Sequence, residues 1–301
     1  MLVLRISLAI TLLSLLGIGP VNDLSAQEKR RLVVCSTTQV ADFARQVVGD
    51  RWEVKSILAE GEDPHLYETK PGDATLVAQA DLCLENGWHL EGKDWMRRLA
   101  TGAGKPLVTC VEGLKPLVLE DEQVHDPHAW FSPENAGQYV RNITAAVAKV
   151  DPAHQREYEA RAALYLAELR VLQTWIQKQL SEIPANQRVL VTSHDAFNYF
   201  CHAFKFEAKT PVGWSTGDEI GGGGTEARRQ QTIASIKATK VKAIFVETSV
   251  NDRLIRTIAE EAGVKIGGKL YSDSMGKPGS AGETYLGMMR ENVLTIVEAL
   301  R

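Results

Sequence analysis

From Leu32 onward the chain alternates short apolar runs with stretches of helical spacing. Leu32–Cys35 reads as a buried strand, Val40–Val48 as a helix closed by Gly49, and Trp52–Leu58 as a second strand. Pro71–Ala80 reads as a short helix, and Asp81–Glu85 and Leu107–Val111 as further strands. Strands alternating with helices over short connections predict a parallel sheet with helical crossovers. Ser132-Pro133-Glu134-Asn135 opens a helix that runs to about Val150, with serine as cap and proline in the first turn. Asp151-Pro152 repeats this signal before the longest helical pattern, about Pro152 to Ile183. Its apolar positions Tyr158, Ala162, Tyr165, Leu166, Leu169, Leu172, Trp175, Ile176 and Leu180 step by three and four along one face. At 1.5 Å per residue this helix would be roughly 45–50 Å long. No partner of that length is evident, so it is expected to bridge two lobes as a stiff spine that ends at Pro184.

A second set follows. Arg188–Thr192 is read as a strand, Asp195–His202 and Thr225–Ala238 as helices, and Val241–Glu247 as a strand. Asn251 caps a helix closed by Gly263, Lys265–Leu270 is a strand, and Ala281–Arg301 is the last helix. The expected fold is α/β. Two lobes, 27–151 and 184–301, each hold a mostly parallel sheet flanked by helices, and the rigid helix 152–183 joins them. A ligand would sit in the cleft, off the carboxyl ends of the strands.

Residues 1–26 follow another pattern. Arg5 precedes the apolar run Ile6–Ile18, and Leu24-Ser25-Ala26 offers a small-residue cleavage site. This is the layout of a cleavable export signal, and the apolar run is too short to span a bilayer. The mature protein is therefore expected in the periplasm or cell envelope. Leu32-Val33-Val34-Cys35 only superficially resembles a lipoprotein signal, because Val34 is not small and Glu28-Lys29-Arg30-Arg31 separates it from the apolar run. The 301 residues, 44% hydrophobic and 24% charged with a net charge of −4, suit a soluble globular chain with no nucleic-acid partner. Cys35, Cys83, Cys110 and Cys201 lie in apolar runs without CxxC spacing. They read as small buried hydrophobes, and their disulfide state is left open.

The candidate chemistry lies in four places. Asp126-Pro127-His128-Ala129-Trp130 holds an imidazole behind a rigid proline and beside a tryptophan. His65 stands in Glu62-Asp63-Pro64-His65, His194 follows the Arg188–Thr192 strand, and Asp273 follows the Lys265–Leu270 strand. Singly each is weak, since a lone histidine is more often structural, and Asp273 alone could form a turn. Together His65, His128, His194 and Asp273 make a nitrogen-rich ligand set that suits Zn2+ and tolerates Mn2+, Fe2+ or copper. Asp195, Glu62 and Glu247 are candidate partners for the second ring nitrogens. His89, His125, His154 and His202 are assigned to structural or exposed positions, His125 least safely because it lies so close to His128.

With these motifs in order, the chain resembles the zinc/manganese-type solute-binding proteins of bacterial ABC transporters, the cluster A-I or TroA-like family. The resemblance rests on Gly61–Tyr67, Asp126–Asn135, Ser193–Phe200, Ile244–Glu247 and Leu270–Gly276. It implies two lobes joined by one helix, the four residues above as metal ligands, a membrane permease as partner, and a monomer that is not an enzyme. In manganese-preferring relatives the third ligand is often glutamate, where this chain has His194. Zinc specialists often carry a long His-rich loop, where this chain has only the short acidic segment Leu119–His125. Two alternatives are weighed against this reading. A zinc hydrolase could use the three histidines with Asp195 or Glu247 as base, although Asp273 would fill the open position that catalysis needs. A surface adhesin could use the metal structurally. Gly221–Gly224 is not a nucleotide motif, and the Asn142-Ile143-Thr144 sequon lies inside a helix.

Overall fold

The computed structural model describes residues 30–119, 124–211 and 226–301. The export signal read over 1–26, the Gly221–Gly224 run and part of the acidic segment before His125 lie outside the described residues. Strands β1 (Arg31–Cys35), β2 (Trp52–Ser56), β3 (Leu82–Glu85) and β4 (Leu107–Thr109) form one parallel sheet in the order β2-β1-β3-β4. Helix α1 (Thr38–Val48) crosses from β1 to β2, and α2 (Pro71–Gln79) returns the chain to β3. The strand order therefore reverses at β1, and such a switch point opens a crevice at the carboxyl ends of the strands. Helix α3 (Trp95–Gly102) precedes β4, and a two-stranded antiparallel hairpin, β5 (Val118–Leu119) and β6 (Val124–His125), follows it. Neither α3 nor the hairpin was legible in the apolar spacing.

The second half repeats this plan. β7 (Val189–Val191) pairs in parallel with β8 (Glu207–Lys209), and β9 (Ala243–Glu247) pairs in parallel with β10 (Lys265–Leu270). β7 also lies beside β9. The spatial order β8-β7-β9-β10 thus matches β2-β1-β3-β4 position for position. Helix α6 (Asn198–Phe204) follows β7, α7 (Glu226–Thr239) leads to β9, and α8 (Arg253–Ala262) leads to β10. The chain ends in α9 (Tyr285–Leu300), which lies on β10. Gly267 permits that approach, since a Cβ there would stand 2.7 Å from the Ala299 methyl and 2.9 Å from that of Ala243.

Helix α4 (Pro133–Val150) starts as expected, with Ser132 Oγ accepting the Asn135 N–H. The spine is shorter than its pattern suggested. Pro152–His154 form a separate 3-10 turn, and α5 covers Gln155–Leu180, 26 residues or about 39 Å of helix. It packs on α1 and α4 from the first half and on α9 from the second. Phe43 marks the junction. Its ring lies 5.6 Å from Tyr139 of α4, 6.4 Å from Tyr165 of α5 and 4.8 Å from Tyr285 of α9. One buried cluster consequently runs through both halves and the spine.

Two further expectations shift. The segment from Asp195 opens as a 3-10 turn, and the α-helix begins only at Asn198. The last helix begins at Tyr285 with Thr284 as its cap, not at Ala281. All four cysteines are free and buried, and Cys35 lies within β1 between β2 and β3. A lipid-bearing cysteine would have to be a chain terminus, which that central position forbids. Asn142 lies in α4 and donates to the carbonyls of Cys110 and Glu112, both at 2.8 Å. No described helix is long and apolar enough to cross a membrane.

Candidate metal centre

The two Asp-Pro-His segments fold alike. In each, the aspartate Oδ1 accepts the N–H of the histidine two residues on, His65 from Asp63 at 2.8 Å and His128 from Asp126 at 2.9 Å. Such a local side-chain turn, with proline at its middle, fixes where the histidine leaves the backbone. His194 leaves the carboxyl end of β7, and Asp273 follows the carboxyl end of β10. Trp130 packs edge-on against His128, with ring centroids 5.3 Å apart.

These loops bring His65, His128, His194 and Asp273 together. One potential ligand atom from each lies within 4.8 Å of all the others. His65 Nε2 is 3.3 Å from His128 Nε2, and Asp273 lies 3.3 Å from His128 Nε2, 3.1 Å from His194 Nε2 and 3.9 Å from His65 Nε2. Atoms bound about 2.0–2.1 Å from a tetrahedral ion lie roughly 3.3 Å from one another, and the shorter of these spacings are of that size. His65 is 8% exposed and the other three no more than 1%, so the groups are shut away from solvent. The Asp273 oxygens face the rings of His128 and His194.

Carboxylates stand behind two of the rings. Asp126 Oδ1 faces His128 Nδ1 at 2.8 Å, and Glu247 Oε2 faces His194 Nδ1 at 2.7 Å. A proton held on Nδ1 leaves Nε2 free to bind a cation. Of the three expected partners, Glu247 stands at His194. Glu62 instead accepts the Ala59 N–H in an exposed loop, and the Asp195 carboxyl accepts from Thr210. Asp126 was missed as a partner, although its place two residues before His128 is the same turn signal that precedes His65. Asp126 is also gripped from the second half. Asn198 Nδ2 donates to its Oδ2 at 3.0 Å, and the Tyr199 hydroxyl donates to its carbonyl at 3.1 Å. His89, His125, His154 and His202 stay apart from the cluster. His125 is exposed against Trp88, His89 and His154 pair with Asp94 and Asp151, and His202 is exposed.

The electrostatics are those of a charged, buried cluster. Burial alone would lower His128, but Asp126 and Asp273 outweigh it and raise the imidazole to about 9. His194 is likewise raised against burial by Glu247 and Asp273. Burial lowers His65 to about 3, with Asp273 opposing and the other two histidines adding to the shift. Burial would raise Asp273, yet His194 and His128 hold it well below the usual carboxylate range. A cation bound at these atoms would have to displace protons from His128 and His194.

The profile of the family described as "ZnuA: Zinc-uptake complex component A periplasmic" matches residues 33–299. The chain belongs to this family. It is 35% identical over 299 residues to the manganese-binding lipoprotein MntA of Bacillus subtilis (strain 168), covering 96% of this chain and 95% of that one. It is also 35% identical over 287 residues to the zinc-binding protein TroA of Treponema pallidum (strain Nichols), covering 92% and 91%. The solved structure of periplasmic TroA from Treponema pallidum superposes with a TM-score of 0.84 at 33% identity, over 90% of this chain and 99% of that one. A manganese-bound periplasmic metal-binding protein from Candidatus Liberibacter asiaticus matches with a TM-score of 0.80 at 28% identity, over 90% and 100%. The zinc-uptake family is one of ABC-transporter binding components and not of enzymes, and the TroA-like two-lobed α/β fold is shared.

Proposed function

We propose that this chain is the exported binding component of an ABC transporter. It captures one divalent metal ion through His65, His128, His194 and Asp273 and hands it to a membrane permease. The observation that carries the reading is the closeness of four ligand atoms, from four separate loops, in a site shut off from water. Three imidazoles buried around one carboxylate, two of them backed by further carboxylates, are costly to bury, and a bound cation would offset that cost.

Zinc is the favoured cargo, with manganese next and iron possible. What supports zinc is the donor set, three nitrogens and one carboxylate. The relatives do not choose, since one at 35% identity is named for manganese and another at the same identity for zinc. A hydrolase is disfavoured because Asp273 completes the shell and leaves no place for a catalytic water. An adhesin role has no observation behind it. The lobes are taken as 27–151 and 184–301 about the segment 152–183, and the protein as a monomer. With one buried cluster running through both halves, exchange of the ion relies on loop movement and small lobe shifts rather than wide closure.

The test is metal analysis of the purified mature protein, then titration of the stripped protein with Zn2+ and Mn2+ while its melting temperature is followed. One ion per chain with a large upward shift is expected, and the better stabiliser names the cargo. No bound metal and no shift with either ion would overturn the reading.

A further inference from the structure

We propose that Asn86–Trp95, the segment leaving the carboxyl end of β3, is a single clamp that positions both His65 and His128 by holding the prolines before them. This rests on the metal-capture reading above. The Pro64 carbonyl accepts the Trp95 Nε1–H at 3.0 Å and the Gly92 N–H at 3.3 Å. The Pro127 carbonyl accepts the Asn86 Nδ2–H at 3.0 Å. Each grip falls one peptide before a histidine of the cluster, on two loops that are 63 residues apart in sequence at His65 and His128. The clamp touches the His65 backbone directly, since a Cβ on Gly92 would lie 2.0 Å from the His65 carbonyl oxygen.

The segment is also built to be rigid. The buried Glu91 carboxyl ties its start to its end, accepting the Asn86 N–H at 2.7 Å and the Gly87 N–H at 3.2 Å. The Tyr139 hydroxyl donates to Asn86 Oδ1 at 2.6 Å, which decides which way the Asn86 amide faces and points its NH2 at Pro127. Trp88, His89, Lys93 and Asp94 all hold positive φ, between 51° and 61°. Non-glycine residues rarely adopt that conformation, and each costs of order 1 kcal/mol or more. Four within seven residues persist only where surrounding bonds over-determine the backbone, and such strain gathers at functional sites. Here the bonds end on the two prolines. None of Asn86, Glu91, Gly92 or Trp95 belongs to the ligand cluster. They are positioning residues, and what they hold is the 3.3 Å separation of His65 Nε2 and His128 Nε2.

A loosened clamp lets these two nitrogens spread, which favours larger ions with more ligands over a tetrahedral one. The test loads Co2+ into the stripped native chain, Asn86→Ala, Trp95→Phe and Tyr139→Phe, and into Val47→Ala, a buried change in α1 outside the clamp. Visible absorption of the bound cobalt reports coordination geometry, and chelator competition reports affinity for Co2+, Zn2+ and Mn2+. The clamp variants should bind Co2+ about tenfold more weakly, show altered cobalt bands, and lose zinc affinity more than manganese affinity. Val47→Ala should lower the melting temperature and leave the cobalt bands unchanged. Native bands and affinities in all clamp variants, or equal changes in Val47→Ala, would overturn the clamp while leaving metal capture intact. A native chain that takes up no cobalt, zinc or manganese would overturn metal capture and the clamp with it.

Discussion

Glu247→Gln is the sharpest test of the site, because it alters a proton and hardly any volume. Glu247 Oε1 accepts the N–H groups of Ser193 at 2.8 Å and His194 at 3.1 Å, while Oε2 faces His194 Nδ1 at 2.7 Å. A glutamine can serve the two backbone donors only with its carbonyl oxygen, which turns its NH2 onto Nδ1. Nδ1 must then present a lone pair, and the ring proton moves to Nε2, the atom that stands 3.1 Å from Asp273. A protonated Nε2 cannot bind a cation. Capture would then require breaking the new bond or leaving the buried donors at Ser193 and His194 unpaired. A hydrogen bond to a charged group contributes about 1.5–3 kcal/mol, which is roughly a ten- to hundredfold loss of affinity. That agrees with the range of about 10–100-fold for residues that orient a metal ligand. The assay is competition for Zn2+ against a chelating dye, with circular dichroism of the stripped variant as the check on folding. A folded Glu247→Gln chain with native zinc affinity would refute the tautomer argument and remove His194 from the ligand set.

Other outcomes follow from the same geometry. His128→Ala should abolish most of the metal-induced rise in melting temperature, which at a thousandfold excess over Kd corresponds to about 4 kcal/mol, and His125→Ala should leave it unchanged. Chelator treatment of the loaded protein should reverse that rise, and a melting temperature indifferent to chelator would contradict a stabilising cargo. Gly92→Ala should weaken capture more than tenfold, because the new methyl meets the His65 carbonyl at 2.0 Å and misplaces one ligand by about 1 Å. Unchanged zinc affinity would refute it. Burial raises the Glu91 carboxyl to about 7 from its ordinary 4.5. The folded chain therefore keeps a proton that the unfolded chain has released. Stability attributable to Glu91 is present below 4.5, falls as pH rises through 7, and is flat above, a change of up to about 3 kcal/mol. The melting temperature of metal-free Glu91→Gln, compared with native across that window, should lack this decline. Parallel curves would refute the assignment.

Much of this protein could be read along the chain. The strands Lys265–Leu270 and Trp52–Ser56, the helix from Pro133 and the final helix show their periods and caps locally, and those signals need only neighbours within a turn or two. The four candidate ligands were legible for a similar reason. Proline before His65 and His128, and strands before His194 and Asp273, are local marks of a rigid loop at the carboxyl ends of strands. What stayed hidden depends on groups far apart in sequence. Glu247 reaches His194 across 53 residues and Asn86 reaches Pro127 across 41, and no local pattern encodes which donor will meet which carbonyl. Helix α3 follows Lys93 and Asp94 with positive φ, a start that propensity disfavours and that tertiary bonds impose. The spine lost its first and last turns to 3-10 and turn geometry at Pro152–His154 and after Leu180, where packing and not apolar spacing sets the boundary. The sequence by itself determined most of the strands and helices, the plan of two similar lobes and the kinds of atoms offered to a ligand. Only the tertiary structure decided their distances, their tautomers and the clamp that holds them, because those follow from long-range hydrogen bonds closed in a site from which water is excluded.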